Sequence, residues 1–498
     1  MSKKLTGLLL FGVFFGAVVP AAAEYEPNFD VIEEAGLPAM FANMPVYTGR
    51  PTPWAVYAAN AYDTMKGAGK VSESDLTRDK QIAIWALVLD EEYRRKGRVL
   101  YVEAGEAPGV TSSGWYSLTE FESVVIPAMM NAAMVAPDVE KANERAHELI
   151  GRAGRVNRLD LRLLTLAPPA DEGEPWTPVL GEGSELAPAA EKVLAGYAAG
   201  DADALGTAAL ELKTALDSVP GAPGKGKIRL ELFTAWLSPL SWTFAAYIVA
   251  AVIMFFWAGL RWRILVWVSV GLAVVGFVFQ TYAIIARMII SGHWPTSGMY
   301  EYLLMFSWAS VLFYLAFYVK TRQTFLGTIV MPVAFLLLVL GSIFPSEIEG
   351  QLVPALQSYW LTIHVTLACL GEGAFALAFA AGLLYLIKPE GKLNFLPDRD
   401  KLDRVGYAAV AVGYPLFTIG ALVAGAIWAQ KAWSVWWSWD PKEVASLIVF
   451  LIATVYLHAR HLRGWRGAKT AVLQIIIFVA AVLTLFSNMI FGGLHSYT

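Results

Sequence analysis

The chain has 498 residues, 56% of them apolar, 18 Trp and a mean hydropathy of +0.50, which excludes a wholly soluble globular protein and leaves room for more than one domain. Its single cysteine, Cys369, excludes an intrachain disulfide, and with no Cys-x-x-Cys-His stretch the chain carries no c-type haem of its own. The net charge of −4 hides a division: residues 24–230 carry 31 acidic and 20 basic side chains, residues 231–498 carry 11 and 16, and neither part has the basic stripe of a nucleic-acid binder.

In chain order, residues 1–23 (MSKKLTGLLLFGVFFGAVVPAAA) combine two lysines, an apolar run and a small-residue end. This reads as a signal peptide, with an uncleaved anchor as the alternative, and either implies that the next segment is exported. Residues 24–230 lack long apolar runs. Ser117–Ala133, Val139–Leu164 and Ala189–Leu216 read as helical, and a Pro/Gly/Glu-rich break at 167–188 precedes the last of them. No catalytic motif stands out here; His147, among helix-forming polar residues, reads as a surface side chain. Val219–Lys227 (VPGAPGKGK) reads as a linker.

From Ser241 onward the pattern predicts eight membrane spans, near 241–260, 265–289, 300–319, 325–344, 361–387, 406–429, 444–460 and 471–491. The expected fold is therefore all-α: a polytopic bundle of about eight transmembrane helices (residues 231–498) behind a mainly helical extracytoplasmic domain (24–230). With that domain outside, the inward loops, beginning at Arg261, Lys320, Lys388 and Arg460, hold thirteen basic residues, whereas the outward loops hold only Lys431 and Lys442. That asymmetry follows the positive-inside rule and agrees with the leader segment.

On this topology four segments converge on the outer face: SGHWPTS with His293, YWLTIHV with His364, SVWWSWDPKE, and the terminal GGLHSYT with His495. His458, in YLHAR, falls at the inner end of its span. A lone interfacial Trp belongs to the aromatic belt, but three within four positions followed by Asp-Pro-Lys-Glu need another account. A histidine inside a span is a candidate for function because an unpaired polar group in hydrocarbon is costly, although a hydrogen bond to a neighbouring helix would also serve. Arg287 and Glu372 are intramembrane ionisable residues, read either as a mutual salt bridge or as ligand contacts. Together these features point to a large, flat, apolar ligand with a metal centre. Two neutral imidazoles can ligate haem iron axially, tryptophans can wall the macrocycle, and a cation such as Arg287 can pair with propionates. Zinc is disfavoured, since no acidic or Cys ligand is spaced with the histidines.

WSVWWSWDPKE resembles the tryptophan-rich WWD signature of haem-handling proteins, and its Trp-Asp-Pro-Lys-Glu ending is similar to the CcsA/ResC branch, the system II cytochrome c synthases. RMIISGHWPTSGMYE, LQSYWLTIHV, YLHAR and GLHSY agree in order, so the resemblance covers roughly residues 230–498, and RLELFTAWLSPLSW is similar to the lead-in of long CcsA proteins with an exported domain. The resemblance implies that His364 and His495 ligate the iron of haem b at an outer site. It implies that His458 belongs to an inner haem site, and that Trp433, Trp436, Trp437, Trp439 and Asp440, in the loop at 433–443, hold haem for attack. Arg287, His293 and Glu372 are candidate propionate or support residues. The implied reaction is thioether attachment of haem to the Cys-x-x-Cys-His of exported apocytochromes c, a holocytochrome c synthase activity at the cytoplasmic membrane. Implied partners are a CcsB/ResB-like subunit and thiol-reducing proteins. Ser434 stands where the family usually has Gly, and Gly298 where it often has Asn. The inner site's second histidine normally comes from the CcsB/ResB component; here another subunit completes the site, His461 substitutes, or the site is incomplete. Competing readings are a haem exporter or chaperone that leaves ligation to a partner, and a structural subunit that keeps the fold without haem.

Overall fold

In a computed structural model, residues 27–495 are described apart from 43, 48–50, 66–77, 108, 112, 135, 137, 168–176, 182, 220–224, 261, 323, 345, 347, 349–351 and 389–396. The expected leader, much of the Pro/Gly/Glu-rich break and the middle of the linker lie outside the described residues. The chain divides into two units, residues up to Leu237 and Ser238–Thr498.

The first unit is helical, with three short antiparallel ribbons, among them Pro45–Tyr47 with Pro51–Pro53 and Leu100–Val102 with Gly114–Tyr116. Trp54 and Trp85, ring centres 4.2 Å apart, sit at its core beside Phe41. Where helices end differs from the sequence reading, for local reasons. The helix expected over 139–164 stops at Asn157. Beyond it Leu159, Leu161 and Leu164 enter the core as turns, fastened by Arg94, which donates to the Leu159 carbonyl (2.7 Å) and pairs with Asp160 (2.6 Å). The 189–216 stretch is two helices, Ala187–Ala199 and Ala202–Ser218, because Gly200 takes a left-handed φ of 68° and Asp201 caps the second helix. His147 is exposed on its helix.

The second unit is a bundle of helices: α1 (Pro239–Leu260), α2 (Arg263–Ser291), α3 (Met299–Thr321), α4 (Gly327–Gly341), α5 (Tyr359–Ile387), α6 (Arg399–Phe417), α7 (Gly425–Trp433), α8 (Pro441–Leu462) and α9 (Ala468–Phe491). Residues Thr418–Ala424, between α6 and α7, form a π-helical segment, so the three run as one continuous helix. Among the described residues seven helices are long and apolar enough to cross a bilayer, and the protein is a multi-pass membrane protein. The expected fourth span is shorter than read. α4 has 15 residues, about 22 Å at the α-helical rise, because its flanks are turns and not further helix.

Large apolar side chains on the outside, such as Phe255 and Trp267, fit a lipid-facing surface. α5 is the central helix and the most buried of the seven. Small residues let its neighbours close in: a Cβ on Gly371 would lie 2.7 Å from Phe417, and one on Gly373 2.6 Å from the Ala309 backbone. Several buried polar groups inside the bundle are paired helix to helix. Gln280 accepts from Tyr247 (2.6 Å) and donates to the Leu304 carbonyl (3.0 Å), and Arg460 grips Asp403 with both terminal nitrogens.

Candidate functional site

The loop between α7 and α8 begins and ends on strained backbone. Ser434 terminates α7 at φ 62°, and Trp439 stands at φ 60°, a region bulky side chains avoid. A left-handed helix terminus is where glycine is favoured, so Ser434 holds a conformation that Gly would adopt more readily. The Trp439 conformation is held from both sides by one oxygen. Glu443 Oε2 accepts from the Ser438 amide (2.8 Å) and the Asp440 amide (3.2 Å). Asp440 in turn caps α8 by accepting from the Lys442 amide (2.9 Å), and Pro441 starts the helix with its φ already suitable. Asp-Pro-x-Glu is thus a capping box that pins the tryptophan loop to the end of a membrane helix.

Asp440 also reaches the chain terminus. Its carboxylate accepts from the Asn488 side chain on α9 (3.1 Å), the Leu494 amide (2.6 Å) and the His495 ring at Nδ1 (2.8 Å). At Gly493 the turn leaves no room for a side chain, since a Cβ there would collide with Asp440 Oδ2 and Asn488 Nδ2. Burial pushes the Asp440 carboxyl up, but His495 and the backbone and amide donors outweigh it and hold the group well below the usual carboxylate range. Burial moves the His495 imidazole the other way, below its ordinary value, against the opposing pull of Asp440. At neutral pH the pair is therefore a carboxylate and a neutral imidazole whose Nδ1–H is committed, leaving the lone pair on Nε2.

His364, in the second turn of α5, is fixed in the same sense. Its Nδ1 donates to the Gly420 carbonyl (2.9 Å) in the π-helical segment, where that carbonyl also accepts from the Gly425 amide. The i→i+5 bond from Gly425 is the π-turn itself, and the His364 ring takes the second lone pair of that carbonyl. Gly425 leaves the space the ring needs, as a Cβ there would lie 3.0 Å from His364 Nδ1.

Trp428 joins the two histidines. Buried at 2% exposure, it donates from Nε1 to the Ala355 carbonyl (2.9 Å) and stacks on His364 with ring centres 5.9 Å apart and planes 7° apart. Its ring centre is 5.4 Å from that of His495, and Trp433 packs edge-on against both, 4.7 Å from Trp428 and 4.8 Å from His495. Trp437 and Trp439 pair at right angles 5.9 Å apart, while Trp436 and Trp439 are 60% and 70% exposed. The arrangement is two oriented imidazoles beside accessible indole surface, suited to a flat aromatic ligand that takes axial nitrogen donors.

Other residues singled out from sequence lie elsewhere. Arg287 does not pair with Glu372: it donates to Glu301 (2.6 Å) and the Ser346 carbonyl (2.8 Å) and stacks on Tyr300, a buried site already filled by protein acceptors. The reason is reach, since Glu301 starts α3 beside the end of α2. His293 points Nδ1 at the Trp294 carbonyl (3.1 Å) within its own loop. Glu372, fully buried on α5, accepts from Tyr302 (2.9 Å). His458 is exposed at the opposite end of α8 from Asp440; His461, one turn on, has Nε2 3.1 Å from the Tyr407 hydroxyl. Two histidines three positions apart on one helix point the same way and cannot approach one iron from opposite faces. Sequence reasoning missed Trp428, Gly420, Gly425 and Asn488. For Trp428 the available signal was its spacing, five residues before Trp433.

The protein is thus a polytopic membrane bundle with two tethered imidazoles beside a capped tryptophan loop. The chain matches the family model described as Cytochrome C assembly protein over residues 296–495. It is 32% identical over 267 residues to the cytochrome c biogenesis protein CcsA of Trieres chinensis (45% of this chain, 84% of that one) and 31% identical over 272 residues to that of Guillardia theta (49% and 90%). It is 34% identical over 228 residues to CcsA of Chlamydomonas reinhardtii, spanning 43% of this chain and 64% of that protein. The chain belongs to the CcsA family and has a role in cytochrome c biogenesis.

Proposed function

We propose that the protein binds haem b as its substrate between His364 and His495 and attaches it to exported apocytochromes c. The observation that carries this reading is the matched tethering of the two rings. Each Nδ1–H is tied to a protein acceptor, so each ring offers Nε2, and both rings pack on Trp428. Trp433, Trp436, Trp437 and Trp439 wall the macrocycle, and the Asp440–Glu443 capping box keeps that wall in place. Lys431, an exposed cation with Nζ 5.4 Å from the Tyr359 ring centre, replaces Arg287 as the carboxylate partner.

The chemistry adds two thiols of a Cys-x-x-Cys-His segment across the two vinyl groups. Each S–H breaks, a C–S bond forms at one vinyl carbon, and the proton ends on the other. Positioning dominates such a reaction, so a rigid wall and fixed axial ligands are what the protein contributes. The substrate's own histidine then displaces one of the two axial rings. The site lies on the extracytoplasmic side of the cytoplasmic membrane, where thiol-reducing proteins keep the acceptor cysteines reduced. His458 takes part in an inner haem site whose second ligand comes from a CcsB/ResB-like subunit, consistent with its exposure.

The test is co-expression with an apocytochrome c and its partner subunit in cells lacking their own system. Wild type yields covalent haem on the acceptor by in-gel haem staining, and His495→Ala yields none. Haem bound to the wild type with no covalent product in the complete system would favour delivery over attachment.

A further inference from the structure

Beneath the two histidines lies a polar cluster that the haem-holding reading does not use. Glu372, 1% exposed, has its Oε2 paired with the Tyr302 hydroxyl, while its Oε1 is buried without a hydrogen-bond partner. Lys442 reaches down from the start of α8, with Nζ 5.6 Å from the Tyr302 ring centre, and forms no ion pair among the described residues. A buried carboxylate oxygen and a cation that stop short of contact are an expensive arrangement unless the charge on the acid changes. Among the described residues, the titratable groups facing Glu372 are Tyr302 on α3, Lys442 on α8 and the Cys369 thiol on its own helix. Tyr302 touches the acid through its hydroxyl and the cation over its ring, and Lys442 stands two positions after Asp440, the partner of His495, so one helix start joins the acid to the ligand pair.

We infer that Glu372 is a proton-holding residue that takes up one proton when haem iron bound between the histidines is reduced and releases it on oxidation. This rests on the haem-binding reading above. The balance is one electron from an external one-electron donor to the ferric iron and one proton from solvent to the Glu372 carboxylate, so the buried site keeps its net charge. Glu372 is a positioning residue for charge: it holds the reduced, thiol-reactive state without an uncompensated change in the membrane.

The experiment is redox-difference infrared spectroscopy on the full-length haem-loaded protein, with dithionite as reductant and ferricyanide as oxidant, beside Glu372→Gln and Tyr302→Phe. Reduction of the wild type brings up a carboxyl C=O band that shifts in D2O. The band is lost in Glu372→Gln, moves in Tyr302→Phe, and the pH dependence of the midpoint potential flattens in Glu372→Gln. No such band in a wild type whose visible spectrum shows both histidines bound, or a band that persists in Glu372→Gln, overturns the proton site alone. Absence of any haem spectrum overturns the haem-binding reading and the proton site with it.

Discussion

With two oxygens Asp440 accepts from the Lys442 amide, the Asn488 side chain, the Leu494 amide and the His495 ring, and so ties the start of α8, the end of α9 and the terminal turn into one structure. Asp440→Ala removes a helix cap, at a cost of about 1–2 kcal/mol, and strands buried donors as well. It should lower thermal stability and release His495, read as a weaker low-spin haem signal in protein that still inserts in the membrane. The pH behaviour follows from His495. Its folded value lies below the ordinary 6.5, so the unfolded chain protonates first as pH falls and the site loses stability from about pH 6.5 downward. Asp440 adds stability that is complete above 3.8 and is lost as pH falls through its depressed folded value. In haem-free protein, an NMR titration of the His495 ring should give a midpoint below 6.5; a midpoint at or above it would contradict the buried, neutral ring.

At the scale of elements, the π-helical segment is the feature that sequence reading could not supply. Apolar periodicity sees one long span over 406–429, and a one-residue insertion in its hydrogen-bond ladder leaves that pattern intact. Yet this segment presents the Gly420 carbonyl to His364. Gly425→Ala tests it: helix propensity alone would favour the change by about 1 kcal/mol, but the new Cβ meets His364 Nδ1 at 3.0 Å. We expect near-wild-type expression with weakened haem ligation. Gly271→Ala on α2, with open space around its Cβ, should leave the spectrum unchanged. The loop was legible in part. His364, His495 and the tryptophans stood out by residue type, and Asp440 and Glu443 carried the capping pattern. Trp428 was hidden because a Trp inside a span reads as ordinary filler. The Arg287–Glu301 pair was hidden because two charges on adjacent helices declare no register.

For the molecule as a whole, composition separated an acidic first part from an apolar second part. Long apolar runs located the helices of the bundle, because hydrocarbon forces backbone groups into helices, while their ends differ by up to seven residues, as where the span read from 406 begins at Arg399. Helix ends in the first unit were harder to read, since Leu159, Leu161 and Leu164 continue a helical spacing while packing as turns. The charge asymmetry makes a further prediction about the whole chain. In a Cys369→Ala background, Ser434→Cys should react with a membrane-impermeant maleimide from outside intact cells, whereas Arg466→Cys should react only after permeabilisation. The reverse pattern would place the tryptophan loop on the cytoplasmic side.

On the proposed reading, two tethered histidines hold haem beside the capped tryptophan loop. The visible spectrum of the purified chain, wild type beside His364→Ala and His495→Ala, tests it most directly. Haem held between the two rings gives a low-spin bis-histidine spectrum in the wild type that is lost in each variant and restored in part by added imidazole. A wild type without haem when purified with its partner subunit, or an unchanged low-spin spectrum in both variants, would contradict it.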